Sequence, residues 1–172
     1  MVAPSRPHNE SAPLVRVRRF APGLSVPARA PAHRLLLAGN GHTPADDPPD
    51  RSRSNDHTFH SVPAGCAIAL SADRSGYELT LGVDALRALD AAIRLDGETA
   101  SIASGRVPSS LTIDADAARS VEAAVREIES EVDLRRPGYS IAVISGLLEI
   151  LAIVARARMP AHEMPPDVWR ME

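Results

Sequence analysis

The chain has 172 residues, 44% of them hydrophobic but only 3% aromatic, so it is long enough for one core built from Leu, Ile, Val and Ala. Net charge is −3 and all 19 basic residues are arginine, which gives no basic excess of the kind that wraps nucleic acid. Cys66 is the only cysteine, which excludes an intramolecular disulfide and a cysteine-based zinc site and makes it a small buried hydrophobe.

Residues 1–56 are rich in proline and arginine and read as an N-terminal arm with an irregular or diverged part of a barrel. Within them, Leu14 to Phe20 alternates apolar and charged residues, as a half-exposed strand does. Leu35-Leu36-Leu37 is a second short apolar run, stopped by a turn at Gly39-Asn40-Gly41. Thr43 to Asn55 reads as a long or disordered loop. The N-terminus lacks the basic-then-apolar order of a signal peptide, and no uninterrupted apolar run as long as a membrane span is expected. A cytoplasmic protein with no membrane contact follows as the expectation.

From His57 the pattern becomes regular. His60 to Gly65 reads as a turn leading into a strand at Cys66 to Leu70, and Ser75-Gly76 as a second turn before a strand at Tyr77 to Leu81. Asp84 is placed to cap a short helix that buries Leu86, Leu89 and Ile93. Leu111 to Ile113 gives a short strand. Asp114 or Asp116 then caps a helix reaching about Arg135, with an apolar stripe of Val121, Val125, Ile128 and Val132. Pro137-Gly138 ends it, and Ser140 is the expected cap of a last helix running to Arg158.

That last helix is apolar over much of its circumference. Ile141, Ile144, Leu148 and Leu151 form one stripe; Val143, Leu147, Ile150 and Val154 form its neighbour. A helix of this kind buries more than one face. One face suits the chain's own core and the other a second copy, with Leu147, Ile150, Leu151 and Val154 as the candidate dimer interface.

The order Gly76-Tyr77-Glu78-Leu79-Thr80-Leu81, a short helix with Leu86, and a strand entering a charged helix with Glu127 resembles AraC-family sensor domains. So does Arg136-Pro137-Gly138-Tyr139, followed by a helix ending Leu151-Ala152-Ile153-Val154-Ala155-Arg156. The resemblance covers about Phe59 to Arg158. It implies an α+β fold, a complete or partial small antiparallel cupin-like β-barrel followed by an antiparallel α-helical hairpin. Residues 57–158 would be the sensor and dimerisation core, and 159–172 a linker toward a DNA-binding domain. One helix-turn-helix needs two helices, so DNA contact is expected only through a domain absent from this chain.

The function implied is non-catalytic: a bacterial transcription regulator's effector-sensing domain, homodimeric, binding a small molecule and no cofactor. The Arg16, Arg18 and Arg19 segment would be a movable arm. The alternatives are a gene remnant or a small metal-dependent cupin enzyme with His33, His57 and His60 as ligands. A metal site needs several ligands converging from rigid strands, and no His-x-His pair is present. No Gly-x-Ser-x-Gly elbow supplies a nucleophile, and Gly39-Asn40-Gly41 is not a phosphate loop.

Overall fold

A computed structural model of the chain describes residues 13–22, 31–40, 57–68, 70, 73–93 and 109–158. The expected disordered loop at 43–55 and linker at 159–172 lie outside the described residues, as does Gly41 of the expected turn. The elements run β1 (Val15–Phe20), β2 (His33–Asn40), β3 (His57–Val62), β4 (Arg74–Leu81), α1 (Val83–Ile93), β5 (Ser109–Ile113), α2 (Ala115–Leu134) and α3 (Tyr139–Arg158). The strands form one antiparallel sheet in the order β1-β4-β2-β3-β5. This is the expected α+β arrangement, with the sheet open among the described residues because β1 and β5 are its two edges.

β2 sits in the centre, paired with β3 on one side and β4 on the other. Its Leu35-Leu36-Leu37-Ala38 run is apolar on both faces, and all four side chains are buried. A strand covered on both sides reads as a continuous apolar run, which explains the composition. The sheet therefore crosses the expected boundary at residue 56. β1, carrying Arg16, Arg18 and Arg19, is a strand of that sheet and not a free arm.

Three strand assignments differ from expectation. In place of the strand expected at Cys66 to Leu70 the sheet uses β3, earlier in the chain, and Pro63 stops it because proline has no N–H for the ladder. β4 starts at Arg74, so Ser75-Gly76 is strand and not turn. A Cβ at Gly76 would lie 1.8 Å from the Leu37 carbonyl oxygen, so only glycine admits this approach of β4 to β2. β2 likewise runs through Gly39 and Asn40, where a turn was expected.

One sheet face packs Val15, Leu35, Leu37, Phe59, Leu79, Leu81 and Ile113 against the three helices. α2 begins where expected: Asp114 has extended backbone, and its carboxylate accepts the Ala117 N–H at 2.7 Å. Its buried residues Ala118, Val121, Ala124, Val125 and Ile128 follow the expected stripe. Arg135, left-handed at φ 44°, ends it, with its N–H donated to the Glu131 carbonyl. α3 starts at Tyr139, so Ser140 lies inside the helix and not at its cap. Gly146 brings α3 close to α2, since a Cβ there would meet Ile128 Cγ1 at 2.8 Å.

α3 also corrects one expectation. Leu147, Ile150, Leu151 and Val154 are at most 1% exposed within the single chain. They belong to its own core, where a second copy cannot reach them. The exposed apolar side chain on α3 is Ile141, 75% exposed, with Ile144 and Leu148 half-buried beside it. Tyr139–Ala157 also has mean hydropathy 1.9 and is long and apolar enough to cross a membrane, although Glu149 and Arg156 interrupt it, so it is not the uninterrupted apolar run whose absence was expected. Here its most buried side chains close the core against α2, α1 and the sheet.

Candidate functional site

The opposite face of the sheet carries chemistry. Strand alternation sends Arg16, Arg18 and Phe20 of β1 to that face, with Arg74, Gly76, Glu78 and Thr80 of β4 and Arg34, Leu36 and Ala38 of β2. β3 and β5 add Thr58, His60, Val62, Ser110 and Thr112. The pairings align one row straight across the sheet: Arg18, Glu78, Leu36, His60, Ser110. The next row is Arg16, Thr80, Arg34, Val62.

Phe20, Leu36, Ala38 and Val62 form a small second core on this face, packed by Cys66, Ile68 and Leu70. The covering segment turns back after β3 through Gly65, at φ 78°. Cys66 is half-buried here, a small apolar side chain against that core. Because this face is covered, charged residues that would otherwise point to water are enclosed. Arg34 is 1% exposed and Glu78 5%.

The two buried charges meet. Arg34 Nη1 donates to Glu78 Oε1 at 3.4 Å, and Arg34 Nη2 donates to the Cys66 carbonyl at 3.4 Å. Arg18 Nη1 approaches the other carboxylate oxygen, Oε2, at 3.9 Å from a side chain 46% exposed. The group grades from a closed base at Arg34 to an open rim at Arg18. An ion pair enclosed this way is weak evidence for stability, because desolvation offsets much of the attraction.

His60 extends the same polar row. Its Nδ1 lies 2.7 Å from Ser110 Oγ. Burial, aided by the positive charge of Arg74, pushes the His60 pKa down from 6.5 to about 4. The ring is therefore neutral at pH 7, one nitrogen a donor and the other an acceptor. Together the face presents fixed guanidinium donors, a neutral imidazole, threonine and serine hydroxyls and an apolar centre. A few placed polar groups around apolar surface are what orient a small-molecule ligand.

The three candidate metal-ligating histidines do not converge. His33 and His57 lie on the helix-facing side of the sheet, whereas His60 lies on the other. His57 is level with Gly39, six residues from His33 along β2, which is about 20 Å of strand. His33 is instead buried, its Nε2 3.0 Å from Ser61 Oγ, and burial lowers its pKa. Among the described residues no group of three His, Cys, Asp or Glu side chains could hold a metal ion.

Two serine–histidine pairs invite a catalytic reading, and the geometry opposes both. Ser61 and His33 are 2% and 6% exposed, closed to a substrate. The His60–Ser110 pair is more open, but burial, with the cation beside it, makes His60 a weaker base, the reverse of what activates a nucleophile near pH 7. A separate cleft of about 580 Å³ lies between the sheet and the start of α2, lined by Arg19, His57, Tyr77, Arg119 and Glu122 among others. Its arginines are engaged at the surface: Arg19 with Glu129 at 2.7 Å and over the Tyr77 ring, and Arg119 with Asp116.

Sequence reasoning passed over Arg34, placed Arg18 in a movable arm and gave Glu78 no part in a site. Glu78 reads as the solvent-facing member of an alternating strand, and Arg34 as a flank of a leucine run. The usable signal was β2 itself: Leu36 and Ala38, alternating with Leu35 and Leu37, demand cover on both faces, and this cover also encloses the polar neighbours.

Comparison with known proteins gives one positive result. A family model described as Cupin (Cupin_6) matches residues 17–155, from β1 through nearly all of α3. No curated protein and no solved structure matches the chain. Since the match takes in most of the sequence, including β2 to β5 whole and most of β1, the chain belongs to the cupin family.

Proposed function

We propose that this chain is the effector-sensing domain of an AraC-type transcription regulator, non-catalytic and cytoplasmic, with its ligand held on the sheet face that carries Arg34, Glu78 and His60. The observation behind this reading is the enclosed Arg34–Glu78 pair opening onto Arg18, on the face away from the helical layer. Cupin membership supports ligand binding in general. The pattern from Gly76 to Leu81, and the Arg136-Pro137-Gly138-Tyr139 turn between two long helices, supports the regulator reading in particular.

In this reading the helices carry homodimerisation, through the surface of α3 around Ile141, Ile144 and Leu148, and DNA is contacted by a helix-turn-helix domain joined to this one. An effector acts by binding one arrangement of the two subunits more tightly than the other, because a ligand shifts an equilibrium only by its differential affinity.

A small-molecule library screened by thermal shift tests the proposal. Hits are expected to raise the melting temperature by mass action, to lose that effect in Arg18→Gln, and to be recovered chemically unchanged. Conversion of a hit to product by the purified chain, lost in His60→Gln, would refute the non-catalytic reading. Hits that stabilise Arg18→Gln as well as wild type would refute the assigned face.

A further inference from the structure

The proposed ligand face has a charge imbalance that specifies what it binds. Among the described strand residues around Thr80 it carries Arg16, Arg18 and Arg34 beside a single carboxylate, Glu78. Two of these arginines reach that carboxylate, one from each side. Their contacts of 3.4 and 3.9 Å are long beside the roughly 2.7–2.9 Å of a tight charge-assisted bond. One carboxylate neutralises one guanidinium, so this cluster keeps positive charge on a partly covered surface, where low-dielectric walls concentrate the field.

The sheet register gives that charge a shape. Arg16 and Arg34 flank Thr80 in one row, so their Cα atoms stand about 10 Å apart with the threonine between them. Arg18 follows Arg16 on the same side of β1, about 7 Å along the strand. Three long cationic side chains thus surround one half-buried threonine on the face, with Arg34 closed and Arg16 and Arg18 open to solvent. Glu78 holds Arg18 from the inner side. A guanidinium has five donors in a planar fork, so Arg18 retains donors for a second oxyanion. Planar carboxylate and phosphate groups match that fork.

We propose that the seat formed by Arg16, Arg18 and Arg34 around Thr80 binds an oxyanion, the carboxylate or phosphate group of a small organic ligand. Arg18 supplies a forked contact, Arg16 closes the outer side and the Thr80 hydroxyl donates from the floor. The buried Arg34–Glu78 pair fixes Arg18 in place and keeps Glu78 from repelling the incoming anion, because Arg34 neutralises it. This assignment rests on the proposed ligand-binding reading of the face and adds the chemical class of the ligand.

Nuclear magnetic resonance on the isotope-labelled chain tests it, with acetate and inorganic phosphate titrated separately against chloride at fixed ionic strength. Saturable shifts are expected at the Thr80 amide and the Arg16 and Arg18 side-chain N–H groups. Arg18→Gln, at a half-exposed side chain, is expected to weaken the effect at least about tenfold, the scale of one lost charged hydrogen bond. Arg16→Gln is expected to weaken it less, and Arg87→Gln on exposed α1 to leave it unchanged. Stronger saturation by acetate would identify a carboxylate ligand, and by phosphate a phosphorylated one. Shifts without saturation, or equal in Arg87→Gln and Arg18→Gln, would overturn the oxyanion seat. A neutral library hit that binds this face would overturn the oxyanion class while leaving the sensing reading intact; turnover of a hit would instead overturn the sensing reading.

Discussion

Glu78→Gln removes the carboxylate that two arginines share. Arg34, 1% exposed, then keeps its charge in the covered face against the Cys66 carbonyl and a neutral amide. Breaking a buried pair from one side typically costs about 3–5 kcal/mol. The amide oxygen introduced by the substitution still accepts a neutral bond, which places the expected loss near about 3 kcal/mol. Arg18 adds little, since its side chain is 46% exposed and an exposed pair is worth about 0–1 kcal/mol. Arg34→Met, which strands the carboxylate instead, is expected to cost a similar amount. The double variant Arg34→Met/Glu78→Leu removes both charges and is expected to lie within about 1 kcal/mol of wild type. Urea unfolding at pH 7 reads the cycle: with a slope of about 2 kcal/mol/M, each single variant shifts the midpoint down by about 1.5 M. Single variants within about 0.5 kcal/mol of wild type, or a double variant as unstable as the two losses added, would show that the pair is not enclosed and would refute the reasoning.

Other expectations follow from the same geometry. His60 has its pKa lowered from 6.5 to about 4, so the unfolded chain binds the extra proton between those values and stability falls as pH drops through that window. The difference corresponds to at most about 3 kcal/mol by pH 4, reduced to about 1–2 where water reaches the ring, and His60→Gln should flatten that part of the stability–pH curve. Gly76→Ala drives a Cβ against the Leu37 carbonyl and should lower stability by about 3 kcal/mol or more, or shift the β2–β4 pairing, seen as lost amide-exchange protection at Leu35 and Leu79. Leu147→Ala should cost about 2–5 kcal/mol at any protein concentration, because its cavity opens inside one chain. Ile141→Glu should leave folding intact by circular dichroism, and light scattering should show a monomer if α3 carries the proposed dimer contact; an unchanged dimer would exclude Ile141 from it.

The amino-acid sequence by itself determined the local elements whose cause is local. Asp114 caps α2 because a carboxylate in that position takes an orphan N–H, and the Val121, Val125, Ile128 spacing buries one face of the helix whatever it meets. The alternation at Tyr77 to Leu81 gave a strand for the same reason. Elements whose limits depend on a partner strand came out displaced: β3 at His57–Val62 and the glycine-bearing starts and ends of β2 and β4 are strands only because a neighbour supplies the ladder.

Tertiary structure alone decided three matters. It chose which stripe of α3 faces inward, since Leu147 and Ile141 are equally apolar as residue types but 0% and 75% exposed in the fold. It separated His33 and His57 from His60, because residues an odd number apart on a strand leave from opposite faces. Finally, it brought Arg18, Arg34 and Glu78 together from three strands far apart in sequence. A period of two says which residues share a face, but strand order and register say which face neighbours they meet, and those are set by the packing of the whole sheet.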